Sequence, residues 1–457
     1  MILAAATAAA AVLAAPHAPA LTLKACTVEQ VAARCGTFVV PENRAKPDGR
    51  RIGLRVVVIP ARRKPARPDA FTFIAGGPGS AATDSAFAAL IAWNPVHERH
   101  DLLFVDQRGT GGSNAMTCAS PKTQPTTKAQ IRAFVHACVA SVPGDVRQYG
   151  TRTAMDDLDA VRAALGYEQL DVYGGSYGAT AAQVYLKRHP SSVRTLVLDG
   201  STAIDVPFYG RFAVNAEHAL ADVAKRCAAD VLCAKAFPRW RTEFHDLVAA
   251  WDTHPARTAR NQTTTGTGLA GIVQTMLLDA YTAASIPLVV DDAAHGDYGP
   301  LNREIARQRS QGNPTQELMY WSIWCNEPWV GLGATGPWHT DFDGYTTSSV
   351  MSHRVPCAFF PKRAEPAADW TSPRSSVPVL VLAGGADPQD PLTNMPRLKQ
   401  DFPNSRAIVV PHYGHTVGML DCVRDVVSQF VVRGTVKGLD TACVGAILPP
   451  ALTLRSP

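Results

Sequence analysis

Five consecutive residues, Gly174-Gly175-Ser176-Tyr177-Gly178, carry the sharpest chemical signal in the chain. They follow a short apolar run at 170–173 and precede a segment of helical character at 179–189. Strand, tight turn and helix are the setting of a nucleophile elbow, where glycines relieve the crowding and the serine hydroxyl projects above the sheet. The chemistry is acyl transfer by Ser176. A hydroxyl is a weak nucleophile, so it needs a base, and the base needs an acid that fixes its tautomer. On such an elbow these partners follow in the order serine, acid, histidine. An apolar run at 379–383 leads into Gly384-Gly385-Ala386-Asp387-Pro388, and another at 407–410 leads into Pro411-His412-Tyr413-Gly414-His415. Asp387 is the favoured acid, with Asp390 and Asp199 as alternatives on strand-end loops. His415 is preferred as the base to His412, which lies nearer the strand.

The oxyanion formed on attack needs preorganised N–H donors. One is the backbone N–H of Tyr177, directly after the nucleophile. The second is expected from Gly76-Gly77-Pro78-Gly79, which follows the apolar run 71–75, with Gly77 the first choice. The same loop lacks the G-x-G-x-x-G spacing and the Lys-Ser/Thr of a phosphate cradle. No H-E-x-x-H or Cys/His ligand spacing is present, so neither a metal nor another cofactor is expected.

These residues have to be positioned by a sheet. Apolar runs at 55–59, 71–75, 102–105, 170–173, 196–198, 379–383 and 407–410 are continuous rather than alternating, the pattern of parallel strands covered on both faces. Ala154, Leu158, Val161 and Leu165 repeat at helical spacing, with Thr153 placed to cap that helix and Gly166 to end it. Strand–helix alternation means α/β. It stops after Ser201 and resumes near Ser375, so residues 201–374 read as a mainly helical cap inserted into a core of 21–200 and 375–457. The insertion holds seven of the eight tryptophans. Most are expected in its core, with one or two walling a pocket.

Composition narrows the classes. Hydrophobic residues make up 46% of 457 and charged residues 18%, which excludes a disordered chain. The net charge of +5 comes without a basic block, which argues against nucleic acid as a partner. Beyond the N-terminus no uninterrupted apolar stretch is long enough to span a membrane. Residues 1–15 are almost wholly Ala, Leu, Ile and Val, and Ala18-Pro19-Ala20 offers small residues for cleavage, so 1–20 reads as a signal peptide, although one without a basic start. The ten cysteines fall into sequential couples, Cys26/Cys35, Cys118/Cys138, Cys227/Cys233, Cys325/Cys357 and Cys422/Cys443, expected as five local disulfides in an oxidising compartment. The destination is secreted, periplasmic or cell-envelope, and a monomer is expected.

Taken together, Gly76-Gly77-Pro78-Gly79, the segment Asp106-Gln107-Arg108-Gly109-Thr110-Gly111-Gly112-Ser113 and the Ser176 elbow resemble the prolyl aminopeptidase and tripeptidyl aminopeptidase family of α/β-hydrolases, its secreted branch above all. The resemblance runs over residues 25 to 445 and extends to Asp387, Gly414-His415, Cys422 and Cys443. Two departures are Ala75, where prolyl aminopeptidases usually carry histidine, and Asp390, near a usual threonine. The resemblance implies an α/β-hydrolase fold and an exported serine exopeptidase that releases one to three residues from peptide N-termini through an acyl-enzyme. Asp106 and Arg108 are expected to brace the oxyanion loop as an ion pair. Within Trp324-Cys325-Asn326-Glu327-Pro328-Trp329, Glu327 matches an acid expected to bind the substrate's ammonium. A carboxylesterase or lipase-like hydrolase with the same triad is the alternative, and an inactive binding protein a distant third.

Overall fold

The computed structural model describes residues 21–119, 121, 123–310 and 317–455. The expected signal peptide, 1–20, lies outside the described residues. Nine strands form the main sheet: β1 (Lys24–Val28), β2 (Val31–Pro41), β3 (Arg51–Ile59), β4 (Ala70–Ile74), β5 (Asp101–Val105), β6 (Leu170–Gly175), β7 (Val193–Asp199), β10 (Val379–Gly384) and β11 (Ser405–Val410). Between β7 and β10 the chain adds a small hairpin, β8 (Ala256–Ala259) with β9 (Gln262–Thr264). The main sheet runs in the order β1-β2-β3-β5-β4-β6-β7-β10-β11. From β5 to β11 all neighbours are parallel, while β1, β2 and β3 are joined to one another and to β5 in antiparallel fashion.

The unbroken apolarity of the central strands has a direct cause. Val379 and Val381 of β10 belong to one buried cluster and Leu380 and Leu382 to another, and Val172 and Tyr173 of β6 divide in the same way. Successive side chains point to opposite faces, and both faces are covered. Helices Thr151–Leu165 and Tyr177–Arg188 supply Leu158, Val161 and Val184 to the first face; helix Asp421–Arg433 supplies Val423, Val427 and Phe430 to the second. Two expectations change here. The run at 55–59 is the end of an antiparallel strand, not a parallel one. Helix Thr151–Leu165 starts before Thr153, with Gly150 at its cap and Gly166 ending it at φ 80°.

The insertion is mainly helical, and its two parts pack differently. Helices Phe212–Ala229, Trp240–Thr253, Gly266–Leu277 and Ile286–Ala294 enclose a separate core around Leu220, Phe244, Val273 and Val290. Leu318, Ile323, Trp324, Phe360 and Trp370, by contrast, join the cluster on the first face of the sheet. Five disulfides link Cys26–Cys35, Cys118–Cys138, Cys227–Cys233, Cys325–Cys357 and Cys422–Cys443, leaving no free cysteine among the described residues. None of the described helices is long and apolar enough to cross a membrane.

Candidate active site

Strands β6, β10 and β11 run parallel, so the loops that leave their C-terminal ends gather at one edge of the sheet. Ser176 stands between β6 and helix Tyr177–Arg188 at φ 57° and ψ −130°, and its N–H donates to the Asp199 carbonyl at 2.9 Å. This conformation is sparsely populated by residues other than glycine. The turn also brings backbone against backbone. A Cβ at Gly174 would lie 2.2 Å from the Gly178 carbonyl oxygen, and one at Gly178 would lie 2.1 Å from that of Ile74. Glycine at both positions is therefore a packing requirement of the elbow.

Asp387 follows β10 and is buried. Its Oδ1 accepts the backbone N–H groups of Gln389 at 2.8 Å and Asp390 at 3.0 Å, and its Oδ2 accepts Nδ1–H of His415 at 2.9 Å. An ionised carboxylate can only accept, so the proton sits on Nδ1. Among the described residues, Nε2 is left buried and without a protein partner. Burial raises the Asp387 carboxyl, but the adjacent imidazole and its hydrogen bond outweigh that and hold it below the ordinary range. Burial likewise opposes the charge on His415, yet Asp387, Asp390 and Asp199 together push its pKa up to about 9. The His415 loop is fixed from the insertion, where its N–H donates to the Leu278 carbonyl at 2.8 Å.

The alternatives considered for acid and base have other partners. Asp199 accepts from the Tyr173 hydroxyl at 2.6 Å and from the N–H groups of Val417 and Gly418 at 2.8 and 2.9 Å, which anchors the turn after His415. His412 pairs with Asp222 of the insertion at 2.9 Å. Asp390 reaches only to 3.8 Å from His415 Nδ1, outside hydrogen-bond range, and borders a cavity instead.

That cavity, about 380 Å³, takes in Ser176, Gly77 and Tyr177. Tyr177 is the first residue of its helix, so its N–H has no partner within the helix. The buried Asp106 carboxylate accepts the Thr83 N–H, the Thr83 hydroxyl and the Gly112 N–H at 2.9, 3.0 and 2.9 Å. Asp106 thus ties Thr83 to Gly112, and does not pair with Arg108. Arg108 is fully buried and forks onto Asp157 at 2.6 and 2.9 Å while donating to the Glu42 carbonyl at 2.7 Å. The expected Asp106–Arg108 ion pair is therefore replaced by two separate long-range braces.

Glu327 needs a larger correction. It is buried and does not border the cavity. Its Oε1 accepts the Thr151 N–H at 2.8 Å; its Oε2 accepts the Thr151 hydroxyl at 2.7 Å and the Trp329 indole N–H at 2.9 Å. Arg363 lies 3.4 Å away. Gly150 has no side chain to cap helix Thr151–Leu165, and Glu327 supplies that cap from across the chain. Burial still pushes its pKa up to about 7. Both oxygens are occupied, so an incoming ammonium finds no free carboxylate at Glu327.

The insertion lines the other side of the cavity with Phe208, Phe212, Trp324, Trp329 and Tyr345. Two tryptophans of the seven are wall. Asn215 and Gln274 also border it, and the sequence did not single them out. The signal was present but faint: each is a polar residue at a buried position in a helix whose neighbours, such as Ala216 and Val273, are apolar.

A family model described as the alpha/beta hydrolase fold matches residues 69–421. Serine protease Hip1 of Mycobacterium tuberculosis is 27% identical over 278 residues, covering 55% of this chain and 53% of that protein, so the chain spans about half the length of that relative. A tripeptidyl aminopeptidase of Streptomyces lividans is 24% identical over 481 aligned positions, covering 91% of this chain and 84% of that protein. The crystal structure of proline iminopeptidase from Mycobacterium smegmatis overlays with a TM-score of 0.39 at 19% identity, covering 87% of this chain and 98% of that one.

Proposed function

The chain belongs to the α/β-hydrolase family, and on that premise we propose that it is an exported serine peptidase that cleaves peptides from their free N-termini through an acyl-enzyme. The observation that carries the reading is the 2.9 Å hydrogen bond from His415 Nδ1 to Asp387, which leaves Nε2 unpartnered and available as a base. Ser176 Oγ attacks the scissile carbonyl carbon while His415 Nε2 takes the hydroxyl proton. The carbonyl electron pair moves onto oxygen and is met by the N–H groups of Gly77 and Tyr177. Collapse of the intermediate breaks the C–N bond, and His415 returns the proton to the leaving amine. Water then repeats the sequence on the ester and frees Ser176. Asp387 keeps the imidazole in the right tautomer and stabilises the imidazolium in both halves.

The names of the two sequence relatives support a peptidase, and the five disulfides support an oxidising compartment. A panel of mono-, di- and tripeptide chromogenic amides with free N-termini, run beside p-nitrophenyl esters, tests the reading. Release of chromophore from at least one of the amides is expected. Turnover confined to the esters would replace the peptidase by an esterase with the same triad.

A further inference from the structure

A peptide cleaved from its free N-terminus carries an α-ammonium into the cavity, and a desolvated cation requires a carboxylate. Among the described residues that border the cavity, Asp390 is the only acid; the other ionisable side chains there are Arg211, His353 and four tyrosines. Asp390 is held ready. The Thr202 hydroxyl donates to its Oδ1 at 2.5 Å and is itself fixed by Asn394 Nδ2 at 2.6 Å. Its Oδ2 is 3.8 Å from His415 Nδ1, whose proton is given to Asp387.

A second, independent observation comes from the insertion. Asn215 is 4% exposed, and its Nδ2 donates at 3.2 Å to the carbonyl of Gln389, the residue before Asp390. Its Oδ1 has no partner among the described residues. Gln274, 2% exposed, and Trp324, 7% exposed, border the same cavity, with Nε2 and Nε1 unpartnered among the described residues. Buried polar atoms rarely go unpaired without a ligand or water to meet them. These atoms divide by chemistry: acceptors at Asp390 and Asn215, donors at Gln274 and Trp324. A peptide's first residues offer the complement, an ammonium with three N–H donors followed by carbonyl acceptors.

We infer that Asp390 and Asn215 Oδ1 anchor the substrate's α-ammonium, and that Gln274 and Trp324 donate to its peptide carbonyls. This deepens the peptidase reading and rests on it. Burial and the neighbouring Asp387 push the Asp390 carboxyl up to about 7, against the opposing pull of His415. A bound ammonium also offsets one of the carboxylates that hold the His415 proton, which makes Nε2 a readier base.

The test uses binding without turnover. Calorimetry on the Ser176→Ala protein compares trialanine amide with its Nα-acetyl form, and then repeats the pair in Ser176→Ala/Asp390→Asn. Asparagine keeps an acceptor for Thr202, and a melting curve checks that the variant is folded. The free amine is expected to bind about ten- to a hundredfold more tightly than the acetylated form in the first protein, and the ratio should fall to near one in the second. In Ser176→Ala/Gln274→Leu both forms should weaken together with the ratio retained. A ratio near one in the Ser176→Ala protein, or one that survives Asp390→Asn, overturns the assignment. Should unmodified enzyme cleave free peptide amides in that second case, the peptidase reading stands and Asp390 alone falls. A ratio lost in Asp390→Asn, in an enzyme that cleaves esters only, upholds the ammonium site and removes the peptidase reading.

Discussion

The two walls of the cavity are built to opposite rules. Behind the sheet side, the buried Asp106, Asp199 and Asp387, which do not themselves border the cavity, each receive three donors, most of them backbone N–H groups. On the insertion side, Asn215, Gln274 and Trp324 each keep a buried polar atom with no protein partner. An unpaired buried polar atom costs about 1–3 kcal/mol, so such atoms are an expense unless a ligand meets them. The sheet side holds geometry; the insertion side waits for chemistry from outside. Substitutions among these three carboxylates should therefore damage every substrate alike, whereas those at Asp390 or on the insertion side should weaken peptide binding above all.

The sharpest way to break this contrast is Asp387→Asn. Asparagine fills the same space but favours the wrong imidazole tautomer, and turnover should drop by about four orders of magnitude on amides and esters alike, with the melting temperature little changed. Substrate-dependent loss would mean that Asp387 itself also selects.

Removing the Cys325–Cys357 disulfide by a double serine substitution should lower stability by about 2–4 kcal/mol, read from denaturant unfolding. The bridge fastens the part of the insertion that packs on the sheet, so the binding side should loosen first. The Michaelis constant for peptides should rise more than the turnover number for a small ester falls.

Glu327→Gln isolates a brace from a binding group. Burial raises this carboxyl from 4.5 to about 7, so between those pH values the folded protein retains a proton that the unfolded chain has released. Stability from this group is thus fully present below about 4.5 and declines as pH rises towards 7. The melting temperature of the unmodified protein relative to Glu327→Gln should fall across that window, while the preference for free amines over acetylated peptides stays intact. Loss of that preference with no pH-dependent stability change would restore Glu327 as the ammonium site.

The smallest effect expected is on the pH profile of ester hydrolysis in Asp390→Asn. Asp390 is one of the carboxylates that raise His415; Asp387 and Asp199 are the others. The base works only when deprotonated, so activity rises with pH through its pKa. Taking one negative charge away should move that acid limb to lower pH, measured as kcat/KM against pH. A limb that stays in place would separate Asp390 electrostatically from the base.

How much of this could be read from the chain follows from the range of each interaction. The elbow and the two strand-end loops are local patterns, so Ser176, Asp387 and His415 were legible together with the central parallel strands. Strand β3 is legible but not its direction, because its run 55–59 is as continuously apolar as the parallel strands and nothing in it reveals its antiparallel partners. Asp106 and Arg108 are close in sequence, yet residues two apart beyond a strand need not meet: Asp106 is satisfied by Thr83 and Gly112, and Arg108 by Asp157 and Glu42. Glu327 failed for the same reason: its partner Thr151 lies 176 residues away, and a tertiary helix cap leaves no spacing signature. Asn215 and Gln274 left only a faint signal, because a lone amide on an apolar helix face shows where it is buried, not what it awaits.

The central claim is that Ser176 is the nucleophile and His415 its base. A fluorophosphonate probe, followed by peptide mapping, tests it most directly. The adduct is expected on the peptide carrying Ser176, and labelling should vanish in Ser176→Ala and fall by orders of magnitude in His415→Ala. An adduct on another serine, or labelling unchanged in Ser176→Ala, would contradict it.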